Sequence, residues 1–372
     1  MRKPAPQPKK AIVLGLDGAH PELVQQLVRE GKLPNFERMV QQSVFKAVTE
    51  PFPAVTAPVW TTVATGACPG THEAPDPFQP NNSSEPADRA DPAFDGRNSK
   101  AEHLWQAAER AGKRSILVNW ETSWPPKGDG IQLEGYGPGL VNLDDLAAEL
   151  TEEVGPFFAS RVREAMEGGS VDKAAFYELQ NYQHQWLAKA IGYLVETQPW
   201  DLLFVGAQCL DPSGHAQPES GSSVDDRRDN LSHNYQSIDR VLGSLLDLMD
   251  SETILAVVCA AGLGSNMRSE LPNGPASAHQ ASSLVIMMGP NIKKGVRPQR
   301  LLDLTGIAPT LAYLLDFPVP AQADGPVLWG VMEDPDAKYK EMKLVRKQLD
   351  RWKKLYAGLA IEYDLNPRPE ID

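Results

Sequence analysis

Short apolar runs recur along the chain, each closed by a glycine or a polar residue. The first, Ala11-Ile12-Val13-Leu14-Gly15-Leu16, stops at Asp17-Gly18; later ones are Ile116-Leu117-Val118, Leu202-Leu203-Phe204-Val205, residues 253–259 and residues 284–288. Runs that are apolar at every position predict strands buried on both faces, as in a parallel sheet covered by helices. Helical patterns stand between them. Residues 21–31 have Pro in the first turn and Gly after the last, and residues 33–42 form a second helix. Pro58 near its start marks a helix running to Thr65. Ser99-Lys100-Ala101-Glu102 has the form of a capping box, opening a helix that stops at Gly112 and carries Leu104, Trp105 and Ala108 on one face. Residues 181–197 read as helix. So do residues 225–250, with Ile238, Val241, Leu242, Leu245, Leu246 and Met249 apolar. Strand and helix in alternation predict an α/β fold, a doubly wound, mostly parallel sheet flanked by helices.

The rhythm fails in three places. Residues 1–10 read as a disordered leader. Residues 73–95 are poor in apolar side chains and form a long loop, of the kind that often carries function. Residues 121–180, with Trp124-Pro125-Pro126 and several glycines, predict an inserted cap, so that the core comprises 11–120 and 181–332. Residues 333–372 are highly charged; 339–359 predict an amphipathic helix packed on the body, its basic residues a solvated face. Trp120, Trp124 and Tyr136 either stack on a ligand ring or form cap core.

Composition narrows the function. A formal charge of -13 over 372 residues argues against binding nucleic-acid polymers or an anionic membrane. It leaves an anionic substrate open, because bound cations can dominate the local field. Three cysteines, Cys68, Cys209 and Cys259, make no disulfide framework and fit a reducing compartment; the default expectation is a bacterial cytoplasmic protein. No apolar stretch precedes Ala11, and no segment has the length and apolarity of a membrane span.

Candidate chemistry gathers where strands end. Asp17 closes the first strand, at the edge where open α/β sheets bind ligands, although an Asp there also serves as a plain turn residue. Thr56 lies at the positive end of a helix dipole, as an N-cap or as a nucleophile whose oxyanion is stabilised. Asp211 and His215 share a Pro/Gly loop, and His279 precedes the last strand. Carboxylates with imidazoles suit zinc or another borderline divalent metal.

These residues resemble the alkaline phosphatase superfamily, in its type I phosphodiesterase/nucleotide pyrophosphatase branch. The resemblance spans residues 11 to 330. It rests on Gly15-Leu16-Asp17-Gly18, Gly31-Lys32-Leu33-Pro34-Asn35, Thr56-Ala57-Pro58-Val59-Trp60-Thr61-Thr62 with Thr65-Gly66 and Pro69-Gly70-Thr71-His72, Asp211 to His215, His279, and Ile307-Ala308-Pro309-Thr310-Leu311 with Asp324-Gly325. It implies a phosphoric-ester hydrolase with two zinc ions at the sheet edge, acting on a small phosphorylated molecule. Asp211, His215 and His279 match the ligands of one metal. Asp17 and Thr56 match part of the other's, Thr56 being the nucleophile. The branch also supplies an Asp-His pair to the second metal, and here those positions hold Ala260 and Ala261. Glu73 stands where glycine usually follows the histidine, and Gly306 where an Asp is usual. Three readings follow: an inactivating double substitution, a pseudoenzyme that binds a phosphorylated ligand, or a one-metal site that recruits Asp76, Asp88 or Asp91.

Overall fold

The computed structural model describes residues 6–19, 21–49, 56–74, 95–133, 140–141, 173–208, 224–260, 282–297 and 302–362. Its strands are β1 (Lys10–Asp17), β2 (Val44–Thr49), β3 (Ser115–Val118), β4 (Ile131–Leu133), β5 (Leu140–Val141), β6 (Leu202–Gln208), β7 (Thr253–Ala260) and β8 (Ser282–Met288). They form one sheet in the order β2-β8-β7-β1-β6-β3-β4-β5. Pairings among β7, β1, β6, β3 and β4 are parallel, while β8 and β5 run against their neighbours. β1 therefore lies at the centre, hydrogen-bonded to β7 on one side and β6 on the other.

Alternate residues of a strand face opposite sides of the sheet, and both sides are covered. Ile12, Leu14 and Leu16 pack with α1 (Pro21–Arg29), α2 (Pro34–Gln41), α6 (Lys173–Thr197) and α7 (Val224–Asp247). Ala11 and Val13 pack with α3 (Thr56–Thr65), α5 (Leu104–Arg110) and α8 (Ile307–Leu315). Helices on both faces are the reason β1 is apolar from Ala11 to Leu16. The doubly wound expectation holds.

One motif behind the resemblance proves to be scaffolding. Asp239 on α7 receives the open N-terminus of α2. Its carboxylate accepts from the Asn35 N–H at 3.2 Å and the Phe36 N–H at 2.9 Å, while Asn35 Nδ2 donates to it at 3.0 Å. Burial raises the Asp239 pKa, and these hydrogen bonds pull against that rise. Leu33-Pro34-Asn35 thus joins two helices 204 residues apart in sequence.

Two local expectations are corrected. Ser99-Lys100-Ala101-Glu102 does not open α5. Residues Gly96–Asn98 form a 3-10 turn, Ser99 Oγ donates to Ala101 O at 3.1 Å, and the helix starts at Leu104. Its N-cap is His103, whose N–H donates to Gln106 Oε1 at 3.0 Å. The C-terminal helix forms as α9 (Ala337–Glu362), but it does not pack on the body. Ala337 is buried, whereas the described side chains from Met342 to Ala357 are all exposed. Its apolar stripe has the right spacing, but its described side chains meet no described element that would receive them. β2, β4 and β5, which no apolar run announces, lengthen the sheet at its two ends.

Candidate active site

Asp17 ends β1 and is only 4% exposed. Being odd-numbered like Ala11 and Val13, it faces the side of the sheet that α3 covers. There the Trp60 indole N–H donates to Asp17 Oδ1 at 2.7 Å. Trp60 lies one helical turn beyond Thr56, so the first turn of α3 sits over the carboxyl edge of β1. Thr56 begins the helix and is half-buried, while every other residue of α3 is buried. The helix can tolerate buried threonines because Thr61 and Thr65 donate back to Ala57 O and Thr61 O, at 2.8 and 2.7 Å.

Aromatic rings close the inner side of Asp17. Trp60 and Trp120 meet edge to face at 5.3 Å, and Trp120 meets Phe204 at 5.0 Å. Gly15 makes this possible, since a Cβ there would lie 2.8 Å from the Trp60 ring and 2.9 Å from the Trp120 ring. Trp120 is therefore core of the main sheet face, neither cap core nor an open stacking platform. Gly15, Asp17, Trp60, Trp120, Glu121, Gly206 and Ala207 surround a void of about 10 Å³, about the room of one water. Trp120 Nε1, which is buried, has no hydrogen-bond partner among the described residues. Glu121, 6% exposed, is a second carboxylate on this void. Sequence reasoning passed over it; the available signal was its position just after β3, at the same edge as Asp17.

The register of β1 on β7 sets Ala260 directly opposite Asp17. Ala260 belongs to the same apolar cluster as Val13 and Trp60, so its methyl group shares the face to which Asp17 points. A catalytic zinc takes three protein ligands as a rule. Here Asp17 has one oxygen engaged by an indole N–H, and its neighbour on β7 offers no donor. Cys259 does not replace one: it belongs to the cluster on the opposite face, and burial pushes its thiol up to about 12. The described donors around Asp17 thus do not fit a metal of their own. Among the described residues no three His, Cys, Asp or Glu side chains converge as a metal group. Asp211, His215, His279 and Ala261 lie outside the described residues, as do Asp76, Asp88, Asp91 and Tyr136.

The remaining motif residues brace α3. His72 is buried; its Nδ1 accepts from the Ala74 N–H at 3.0 Å, which leaves Nε2 to donate to Thr62 Oγ1 at 3.1 Å. Asp324 Oδ2 accepts from the Cys68 N–H at 2.8 Å, and the Asp324 and Gly325 N–H groups donate to Gly66 O at 2.9 and 3.0 Å. Thr310 Oγ1 donates to Gly306 O at 2.6 Å and accepts from the Leu328 N–H at 2.8 Å.

Two buried histidines, His72 in this bracing and His103 at the N-cap of α5, should make the fold acid-sensitive. Burial lowers the His72 pKa to about 4, and burial together with nearby Lys127 lowers that of His103 to about 3. An unfolded histidine titrates near ~6.5, so below that pH the unfolded chain takes up protons that the folded one refuses. Stability is full above pH ~6.5 and falls as pH drops toward 4 and then 3, by a few kcal/mol in all. Denaturant titrations at neutral and acidic pH should show this fall, and His103→Gln should reduce its slope. An unchanged slope in that variant would remove His103 from the account.

Similarity to known proteins agrees with this geometry. Residues 11–270 match the family model described as type I phosphodiesterase/nucleotide pyrophosphatase. The chain belongs to that family, within the alkaline phosphatase superfamily. It is thus related to phosphoric-ester hydrolases, in a superfamily whose members depend on divalent metals. No curated protein matches its sequence significantly. Among solved structures, alkaline phosphatase PafA superposes with a TM-score of 0.53 at 12% identity, over 88% of this chain and 99% of that one. Murine ectonucleotide pyrophosphatase/phosphodiesterase 5 superposes with a TM-score of 0.51 at 15% identity, over 83% and 96%. The phosphonoacetate hydrolase of Sinorhizobium meliloti is matched at 16% identity and a TM-score of 0.47, over 68% of this chain; the chain spans 57% of that protein's length.

Proposed function

We propose that the protein is a metal-dependent phosphoric-ester hydrolase of the phosphodiesterase type whose turnover is impaired at the Asp17 side of its site. The carrying observation is the methyl group of Ala260 opposite a buried Asp17 whose oxygen is taken by Trp60. In this reading Asp211, His215 and His279 hold one divalent metal, zinc by preference, which would polarise a phosphoryl oxygen. Thr56 is the nucleophile. The first turn of α3 supplies backbone N–H groups and a positive dipole end to the phosphate oxygens. Without a donor set beside it, the Thr56 hydroxyl keeps its proton and attacks poorly.

The same observation favours one further reading, a pseudoenzyme that binds a small phosphorylated molecule intact. A form of murine ectonucleotide pyrophosphatase/phosphodiesterase 5 has been solved with AMP, which makes AMP a rational probe here. Titration calorimetry of the zinc-supplied chain should show saturable binding of AMP. Hydrolysis of bis(p-nitrophenyl) phosphate should run far below the ~1–1,000 s⁻¹ of competent enzymes. Slow hydrolysis lost in Thr56→Val selects the impaired enzyme; binding without hydrolysis selects the pseudoenzyme. Failure to bind any phosphoester, or a full enzymatic rate, ends the proposal.

A further inference from the structure

We propose that α9 is a docking element for an anionic lipid surface. Among the described residues, the helix is fixed at its root. Ala337 is buried, Lys338 Nζ pairs with Asp316 Oδ1 at 2.7 Å while lying over the Tyr313 ring, and Lys340 Nζ pairs with Asp334 Oδ1 at 2.6 Å. Beyond that root, every described side chain from Met342 to Ala357 is exposed. Of the twelve large hydrophobic residues exposed among the described residues, eight are on this helix, and Trp352 is 70% exposed.

At ~100° per residue, Met342, Val345, Leu349, Trp352 and Tyr356 fall within an arc of about 80°. Lys343, Lys347, Arg351 and Lys354 lie on the opposite half of the helix, which also carries Asp350, Leu344 and Leu355, and Arg346 and Lys353 flank the stripe. Eight Lys and Arg stand against Glu341, Asp350 and Glu362, so α9 is net positive in a chain of net charge -13. The overall acidity that argued against a membrane hides a segment of the opposite sign. Trp and Tyr in an apolar stripe, flanked by a cationic face, are the makeup of helices that lie in the headgroup region. The free part extends roughly 30 Å at 1.5 Å per residue, three or more Debye lengths at physiological salt. The negative body is screened from most of it. No helix among the described residues is long and apolar enough to cross a bilayer, so the contact is with its surface.

A second copy of the chain fits the stripe less well. The 3-4 spacing from Met342 to Tyr356 covers about two heptads, fewer than a coiled coil sustains. Its flanks carry Arg346 and Lys353 against the single acid Glu341.

The test is co-sedimentation of the full chain with vesicles of phosphatidylcholine containing about 30% phosphatidylglycerol, and with phosphatidylcholine alone. Sedimentation velocity of the free protein runs beside it. The chain should pellet only with the anionic vesicles, and less as salt rises. Both Leu349→Glu/Trp352→Glu and Lys343→Glu/Lys347→Glu should reduce partitioning at least ~tenfold while circular dichroism shows an intact fold. No partitioning, equal partitioning into both vesicles, or binding retained by either double variant overturns the proposal. So does a dimer that the Leu349→Glu/Trp352→Glu change dissolves, which would give the stripe to a second copy.

Discussion

Replacing Ala260 by Asp and Ala261 by His should raise hydrolysis of bis(p-nitrophenyl) phosphate by the zinc-supplied protein at least ~100-fold. It should also raise bound zinc by one ion per chain. The parent site has a carboxylate, Asp17, at the end of the central strand and a hydroxyl, Thr56, at the head of a buried helix. It has no donor opposite Asp17 on β7. A carboxylate at position 260 would stand on the same face as Asp17, in parallel register with it. With a histidine added at 261, the set reaches the three or more ligands that a catalytic zinc takes. Asp17 would then exchange its bond from Trp60 Nε1 for the metal. That exchange has a cost, since the indole N–H is left buried and unpartnered. Replacing Trp60 by Phe in the double variant should therefore raise zinc affinity further. Bound zinc that rises with no change in rate would show that ligand count is not what limits this site.

Gly206→Ala should destabilise the fold by about 3 kcal/mol or more. A Cβ at Gly206 would lie 2.1 Å from Asn119 O and 2.9 Å from its carbonyl carbon. Those are backbone atoms, and they cannot swing aside. The Asn119 N–H donates to Leu133 O at 2.7 Å, its Nδ2 donates to Gly206 O at 3.1 Å, and its φ is 53°. Moving that peptide breaks both bonds and shifts Trp120 and Glu121, and with them the wall of the Asp17 void. Gly192→Ala is the control. It lies in α6 with nothing within 4 Å of an added Cβ, so it should be neutral or stabilising by up to ~1 kcal/mol. Urea titrations of both variants decide the matter. Equal midpoints would mean that the Asn119 peptide yields freely.

Several motifs that carry the resemblance serve support rather than chemistry. Asn35 is held by Asp239, His72 by Thr62 and Ala74, and Asp324-Gly325 by Gly66 and Cys68. Their residue types follow from buried hydrogen bonds that position α2 and α3. Only Asp17 and Thr56, among the described residues, sit where the reaction proposed here would take place.

The sequence by itself determined the elements that repeat: continuous apolar runs as strands, helices between them, and hence a doubly wound sheet with Asp17 at the carboxyl end of a strand. It also showed that positions 260 and 261 hold alanines, neither of which offers a metal donor, because a missing donor is visible as a residue type. It did not reveal β2, β4 and β5, which lie toward the ends of the sheet and lack the continuous apolar signature of a strand buried on both faces. The tertiary structure alone decided that Trp60 occupies Asp17, 43 residues away, and that Gly15 and Gly206 are fixed by rings and a peptide brought in from other elements. It alone decided that the described side chains of α9 from Met342 to Ala357 are exposed. Periodicity reports which face of an element is apolar, whereas what that face meets depends on residues distant in sequence.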